Sequence, residues 1–131
     1  MFRQGPVPAF VHGIVEYAAG VLLIAAPFLF SFEEDAATAV AIAAGVIVLI
    51  VAASTAMSTG LIKSIPVQAH VMLDYVLAIA LIASPFALGF SDDGAATAFF
   101  LVLGVAHLLL TIATRFIRDE RPRRRATPAE R

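Results

Sequence analysis

Two pairs of ionisable side chains stand out in a chain otherwise poor in them: His12 with Glu16 and His70 with Asp74, each spaced i, i+4. On a helix that spacing puts both groups on one face, one turn apart. An imidazole beside a carboxylate can pass a proton, and two such pairs offer the nitrogen and oxygen ligands that suit a divalent cation. A tyrosine follows each acid, so the candidate polar site comprises His12, Glu16, Tyr17, His70, Asp74 and Tyr75. These residues leave the identity of any metal open, and no motif calls for a cofactor. A plainer reading stands beside the chemical one: the pairs bond within or between helices and fix packing, with each acid favoured by its place near a helix N-terminus. His107 has Val48 at its matching position and so lacks a mate; it is expected to be a packed, hydrogen-bonded histidine. Haem ligation by His70 and His107 is disfavoured because their expected depths differ.

The elements that must position these groups follow from composition. The 131 residues are 60% hydrophobic and 15% charged, with a mean hydropathy of +0.91, whereas soluble domains are about 45–50% apolar and about 25% charged. The charges are confined to short segments, leaving apolar stretches at 9–32, 36–57, 67–90 and 95–117. Each has the roughly 20 residues needed to cross a hydrocarbon core about 30 Å thick. The expected fold is therefore an all-α membrane protein of four transmembrane helices. At about 1.5 Å per residue, each imidazole lies about 6 Å and each carboxylate about 12 Å along its helix. A charged side chain at the bilayer centre costs about 2.5–3.5 kcal/mol, less near an interface, so Glu16 and Asp74 should face the bundle interior. The chain has no cysteine, which excludes thiol redox chemistry, disulfides and thiolate metal ligation. The first stretch is too long for a cleaved signal core, and it recurs as the third.

The two halves align without a gap from Pro8/Pro66 to Asp35/Asp93, after which one inserted residue, Gly94, restores the match. The shared positions include His12/His70, Glu16/Asp74, Tyr17/Tyr75, Pro27/Pro85, Phe28/Phe86 and Phe32/Phe90. This pattern predicts two tandem helical-hairpin repeats that are parallel rather than inverted, because each unit holds an even number of helices. The expected organisation is a short cytoplasmic N-terminus at 1–7, a first hairpin at 8–58, a cytoplasmic linker at 59–65, a second hairpin at 66–118 and a basic disordered tail at 119–131. Arg3, Lys63 and the basic residues from Arg115 to Arg131 fall on one side of this path. Glu33, Glu34, Asp35, Asp92 and Asp93 fall on the other. The positive-inside rule then predicts a multi-pass protein of the cytoplasmic membrane with both termini cytoplasmic.

Local signals refine the elements. Pro8 and Pro66 suit the first turn of a helix, where the missing N–H has no partner to lose, and Asp35 and Asp93 are placed to cap the second and fourth helices. Pro27 and Pro85 favour kinks, with Ser84 available to the carbonyl freed in the second copy. Ala37, Ala41 and Gly45 allow close helix approach. Phe100 interrupts the matching series of Ala96 and Gly104, which predicts a bulkier face turned to lipid or a second subunit.

The run Leu81-Ile82-Ala83-Ser84-Pro85-Phe86, continued to Phe90, resembles the signature of the SPW repeat proteins, small bacterial membrane proteins with Ser-Pro-Trp in the first of two transmembrane helices. Ala26-Pro27-Phe28 marks the same place in the first copy, so the repeat signature is Pro27, Phe28, Ser84, Pro85 and Phe86. Both copies depart from it: phenylalanine replaces tryptophan in each, and Ala26 replaces serine in the first. The resemblance implies a fold and a membrane location and carries over no functional residues. The expected function is a structural or accessory membrane component without enzymatic activity, the alternative being a small oligomeric ion or proton carrier that uses the His/carboxylate pairs. The expected partners are the lipid bilayer and either further copies of the chain or another membrane protein, with no nucleic acid.

Overall fold

The computed structural model describes residues 5–116. Four helices dominate: α1 (Ala9–Leu29), α2 (Asp35–Ser54), α3 (Val67–Ala87) and α4 (Gly94–Ala113). Two short strands, β1 (Val7–Pro8) and β2 (Thr114–Arg115), flank them. Each helix is long and apolar enough to cross a membrane, and the chain is a multi-pass membrane protein. Arg3 and the tail at 119–131, with its Arg121 to Arg125 run, lie outside the described residues.

The helices end three or four residues short of the apolar stretches, and α1 and α3 show why. After each, one residue takes the left-handed conformation, Ser31 at φ 51° and Gly89 at φ 76°. Phe32 N–H then donates to Pro27 O and Phe90 N–H to Pro85 O, both at 3.0 Å. This six-to-one bond is the Schellman termination. The apolar residues beyond it therefore belong to the turn. Pro27 and Pro85 sit two residues before the helix ends, where their carbonyls accept the terminating bonds. Ser84 does not serve the carbonyl that Pro85 leaves free, that of Leu81; its hydroxyl donates to Ala80 O. Phe28 and Phe86 point outward and are exposed, while Pro27 and Pro85 are buried. Pro8 and Pro66 occupy the capping position, one residue outside the helix.

Within the first hairpin the backbones approach closely. A Cβ on Gly45 would lie 2.6 Å from Gly20 O, and Ala37 and Ala41 are fully buried beside it. Small residues are the usual means of association where lipid supplies no hydrophobic drive. In the second hairpin Gly104 abuts Ala78 and Ile82. Phe100 is likewise fully buried, with its ring 5.1 Å from that of Phe90 in an edge-on arrangement. The bulkier face expected to meet lipid is thus turned inward, where Phe100 fills volume that Ala41 leaves on the other side. Leu23, Val48, Leu81 and Phe90 complete this apolar core.

The hairpin tips are joined by one carboxylate. Asp93 caps α4, accepting from Ala96 N–H at 3.0 Å through Oδ1. Its Oδ2 accepts from Glu33 and Glu34 N–H at 2.7 and 3.1 Å. Asp35 does not cap α2, contrary to expectation. It is the first helical residue, and Glu34 at the N-cap makes no side-chain bond. The inserted Gly94 accounts for the difference, since it starts α4 one residue after the aspartate.

At the opposite end the linker returns against α2 and satisfies its last carbonyls. Leu61 and Ile62 N–H bond Ala53 O, and Ser64 and Ile65 N–H bond Ser54 O. Lys63 Nζ donates to Met57 O at 2.9 Å. Thr55 and Ile65 form a parallel bridge. The ends of the described chain repeat that pairing, with Val7 opposite Thr114 and Pro8 opposite Arg115.

A non-glycine residue in the left-handed region costs about 1–2 kcal/mol, and a Cβ at Gly89 would meet nothing within 4 Å. Ser31→Gly is therefore expected to raise stability in detergent by about 1 kcal/mol and Gly89→Ala to lower it by a similar amount; equal melting temperatures for all three proteins would contradict the assignment. For Asp93, burial raises the carboxyl, but the N–H groups of Ala96, Glu34, Glu33 and Ala95 outweigh it and hold the group below its ordinary 3.8. A depressed carboxyl contributes stability above its unfolded value and loses it as pH falls through the folded one. Asp93→Ala should cost about 1 kcal/mol or more at neutral pH, and its melting curve should converge with that of the unaltered protein in acid.

Candidate functional site

The lower half of the bundle, away from the acidic tips, replaces the apolar core by a cluster of polar side chains. His12 and Glu16 project from α1 and His70 and Asp74 from α3; all four are no more than 2% exposed. The shorter approaches run between the hairpins. His12 Nε2 is 3.1 Å from Asp74 Oδ2 and His70 Nε2 is 3.3 Å from Glu16 Oε2. Within a helix the distances are 3.9 Å for His12–Glu16 and 3.4 Å for His70–Asp74. The i, i+4 spacing therefore aims both groups of a helix inward, and each imidazole meets the acid of the opposite helix more closely than its own.

Two threonines set the imidazoles. His12 Nδ1 lies 2.9 Å from Thr114 Oγ1, and His70 Nδ1 lies 2.8 Å from Thr55 Oγ1. Each hydroxyl already donates to a carbonyl one turn back, Thr114 to Leu110 O and Thr55 to Val51 O, both at 2.6 Å. A hydroxyl has one proton to give, so each threonine can only accept from its histidine. Nδ1 therefore carries the proton in both rings, and Nε2 is turned into the cluster. The bonding is reciprocal: the threonine ending the first hairpin holds the histidine of the second, and the converse.

The central atoms remain unsatisfied. His12 Nε2, His70 Nε2, Glu16 Oε2 and Asp74 Oδ2 are buried, and none has a partner in hydrogen-bond geometry despite the short distances between them. One ligand atom from each of the four residues lies within 4.8 Å of every other. Phe116 closes the cluster from the chain ends, its ring 5.0 Å from that of His12 and 6.3 Å from that of His70.

His107 joins this group. Its Nε2 lies 3.6 Å from Asp74 Oδ1, and its ring is 6.3 Å from that of His12. Because α4 runs back toward the chain ends, His107 is only about 9 Å from its helix terminus, level with Asp74. Tyr17 and Tyr75 take no part. Tyr17 is half-buried and donates to Thr59 O at 2.9 Å, tying α1 to the linker; Tyr75 is half-buried and outside the cluster's contacts. The signature residues Pro27, Phe28, Ser84, Pro85 and Phe86 belong to the other end of the bundle, where they form the helix terminations.

Sequence reasoning missed Thr55, Thr114 and Phe116. The signal for the threonines was present, since they occupy matching positions in the two halves at the ends of apolar helices.

Comparison with curated proteins and with solved structures returns no match. The sequence model of the SPW repeat domain matches residues 10–114, a span that contains the four helices but for Ala9, both threonines and every side chain of the cluster except Phe116. The chain belongs to the SPW repeat domain family.

Proposed function

We propose that this protein is a non-enzymatic structural or accessory component of its membrane, two hairpins of common descent held as one rigid body. The observation that carries this reading is the reciprocal arrangement of His12, Asp74, His70 and Glu16, in which each histidine is hydrogen-bonded by the other hairpin's threonine and faces the other hairpin's acid. An ionisable side chain at this depth needs a partner, and here each hairpin supplies the other's. The apolar hollows lined by Phe30, Phe99 and Val102, and by Leu101, Val105 and Leu109, lie along α4 and are lined by no residue of the cluster. The basic residues favour the cytoplasmic membrane, with both termini inside and the acidic tips outside. Such a body suits association with further copies or with another membrane protein through its lipid-facing helices.

The second reading, an ion or proton carrier, draws support from the same buried cluster, because intramembrane carboxylates and histidines mark many ion and proton paths. The two part in a reconstitution experiment. In liposomes carrying an imposed pH or cation gradient, the unaltered protein is expected to leave the decay rate at that of empty liposomes. A faster decay that Glu16→Gln together with Asp74→Asn abolishes would replace the accessory reading by the carrier.

The clamp also has a measurable energy. Removing one partner of a buried ionic pair costs about 3–5 kcal/mol. His12→Gln and Asp74→Asn should each destabilise the protein strongly in detergent, and the double variant by less than the sum, with about 0.5–3 kcal/mol of coupling. Additive effects would remove the basis for a clamp.

A further inference from the structure

We propose that His12 Nε2, His70 Nε2, Glu16 and Asp74 form a four-coordinate site for one divalent first-row transition-metal ion of the zinc type. Four observations converge on it. The first is the ligand set, two imidazole nitrogens and two carboxylate oxygens, which suits zinc and its neighbours. Magnesium and calcium call for six or more oxygens and are poorly matched.

The second is spacing. Metal–ligand distances of about 2.0–2.1 Å in a tetrahedron place the ligand atoms about 3.3–3.4 Å apart. The four nitrogen–oxygen separations in the cluster are 3.1, 3.3, 3.4 and 3.9 Å. All four ligand atoms lie within 4.8 Å of one another, and drawing the imidazole–imidazole and carboxylate–carboxylate pairs in to the same edge length around the ion completes the tetrahedron.

The third is orientation. Metal-binding imidazoles hold their second nitrogen in a hydrogen bond that fixes the tautomer. Thr114 and Thr55 do this for His12 and His70, each by a hydroxyl that can only accept. The lone pair of Nε2 is thereby presented to the cluster. Asp74 Oδ1 faces His107 Nε2 at 3.6 Å, a charge contact longer than a hydrogen bond, while Oδ2 faces the two ligand histidines.

The fourth is the set of orphaned atoms with their charge. Both Nε2 atoms, Glu16 Oε2 and Asp74 Oδ2 are buried without hydrogen-bond partners, a costly state in an apolar interior. A cation at their centre satisfies all four at once. Two carboxylates and two neutral imidazoles carry a formal charge of −2, which one dication cancels inside the membrane.

Thr55, Thr114 and His107 are positioning residues in this scheme, and their roles separate in a cobalt experiment. Untagged full-length protein in detergent, stripped with a chelator, is titrated with Co2+ and then Zn2+. The expected result is one Co2+ per chain with the intense visible bands of a tetrahedral site, lost on adding one equivalent of Zn2+. His70→Gln and Asp74→Asn should abolish the bands. Thr114→Val should keep them while weakening affinity by about 10–100-fold, and His107→Gln should shift their positions. A metal-dependent rise in the melting temperature of the unaltered protein supplies a readout that needs no variant to fold. No Co2+ bound by the unaltered protein, or weak octahedral bands that survive His70→Gln, would overturn the site. A merely structural threonine would leave cobalt affinity unchanged in Thr114→Val, which would overturn the positioning role.

Discussion

The bundle depends on an exchange between its halves: each hairpin ends in a threonine that holds the other hairpin's histidine, and each histidine turns toward the other hairpin's acid. In water, hydrophobic burial would hold two helical hairpins together without help. In lipid the surroundings are as apolar as the helices, so packing and polar contacts must do it. The intimate backbone contacts here lie within each hairpin, where Gly20 meets Gly45 and Gly104 meets Ala78. Between the hairpins, α1 and α3 meet through long polar side chains. Remove those, and two well-packed hairpins remain with much less reason to stay together.

The other end is held differently. Around Leu23, Leu81, Phe90 and Phe100 the core is apolar, and the tips are linked by one carboxylate that serves three backbone N–H groups on two hairpins. The halves are not identical here. Ala41 and Phe100 occupy matching places, and only Asp93 both caps its helix and reaches across. The polar end keeps the pairing almost residue for residue, while the apolar end tolerates divergence. Apolar volume can be redistributed between neighbours; a proton donor and its acceptor cannot.

Helix number and the inward aim of the histidines and acids were legible in the sequence because membrane crossing demands length and apolar composition, and buried charge demands partners. The partner assignment was not. An i, i+4 spacing reports a helical face, and only packing decides whether His12 lies nearer to Glu16 or to Asp74. His107 was set apart as a packed, hydrogen-bonded histidine for want of a mate, although a helix running the other way brings it to the same depth and leaves its Nε2 facing Asp74. Thr55 and Thr114 were hidden because threonine is unremarkable in an apolar helix until an imidazole is seen beside it. The helix ends were overestimated for a related reason: hydropathy cannot distinguish Phe32 in a helix from Phe32 in the turn that stops one.

The bridge between Thr55 and Ile65 has the same form as that between Thr114 and Val7. The covalent linker spans the first of these junctions, whereas the second is closed by hydrogen bonds alone. In topological terms the described chain is a ring with one bond left open, and the position of that opening is incidental to the assembly. Each hairpin's threonine and histidine meet across one such junction, Thr55 with His70 at the first and Thr114 with His12 at the second. At the polar end a covalent junction and a hydrogen-bonded one therefore do the same positioning work, each setting a threonine against the histidine of the other hairpin.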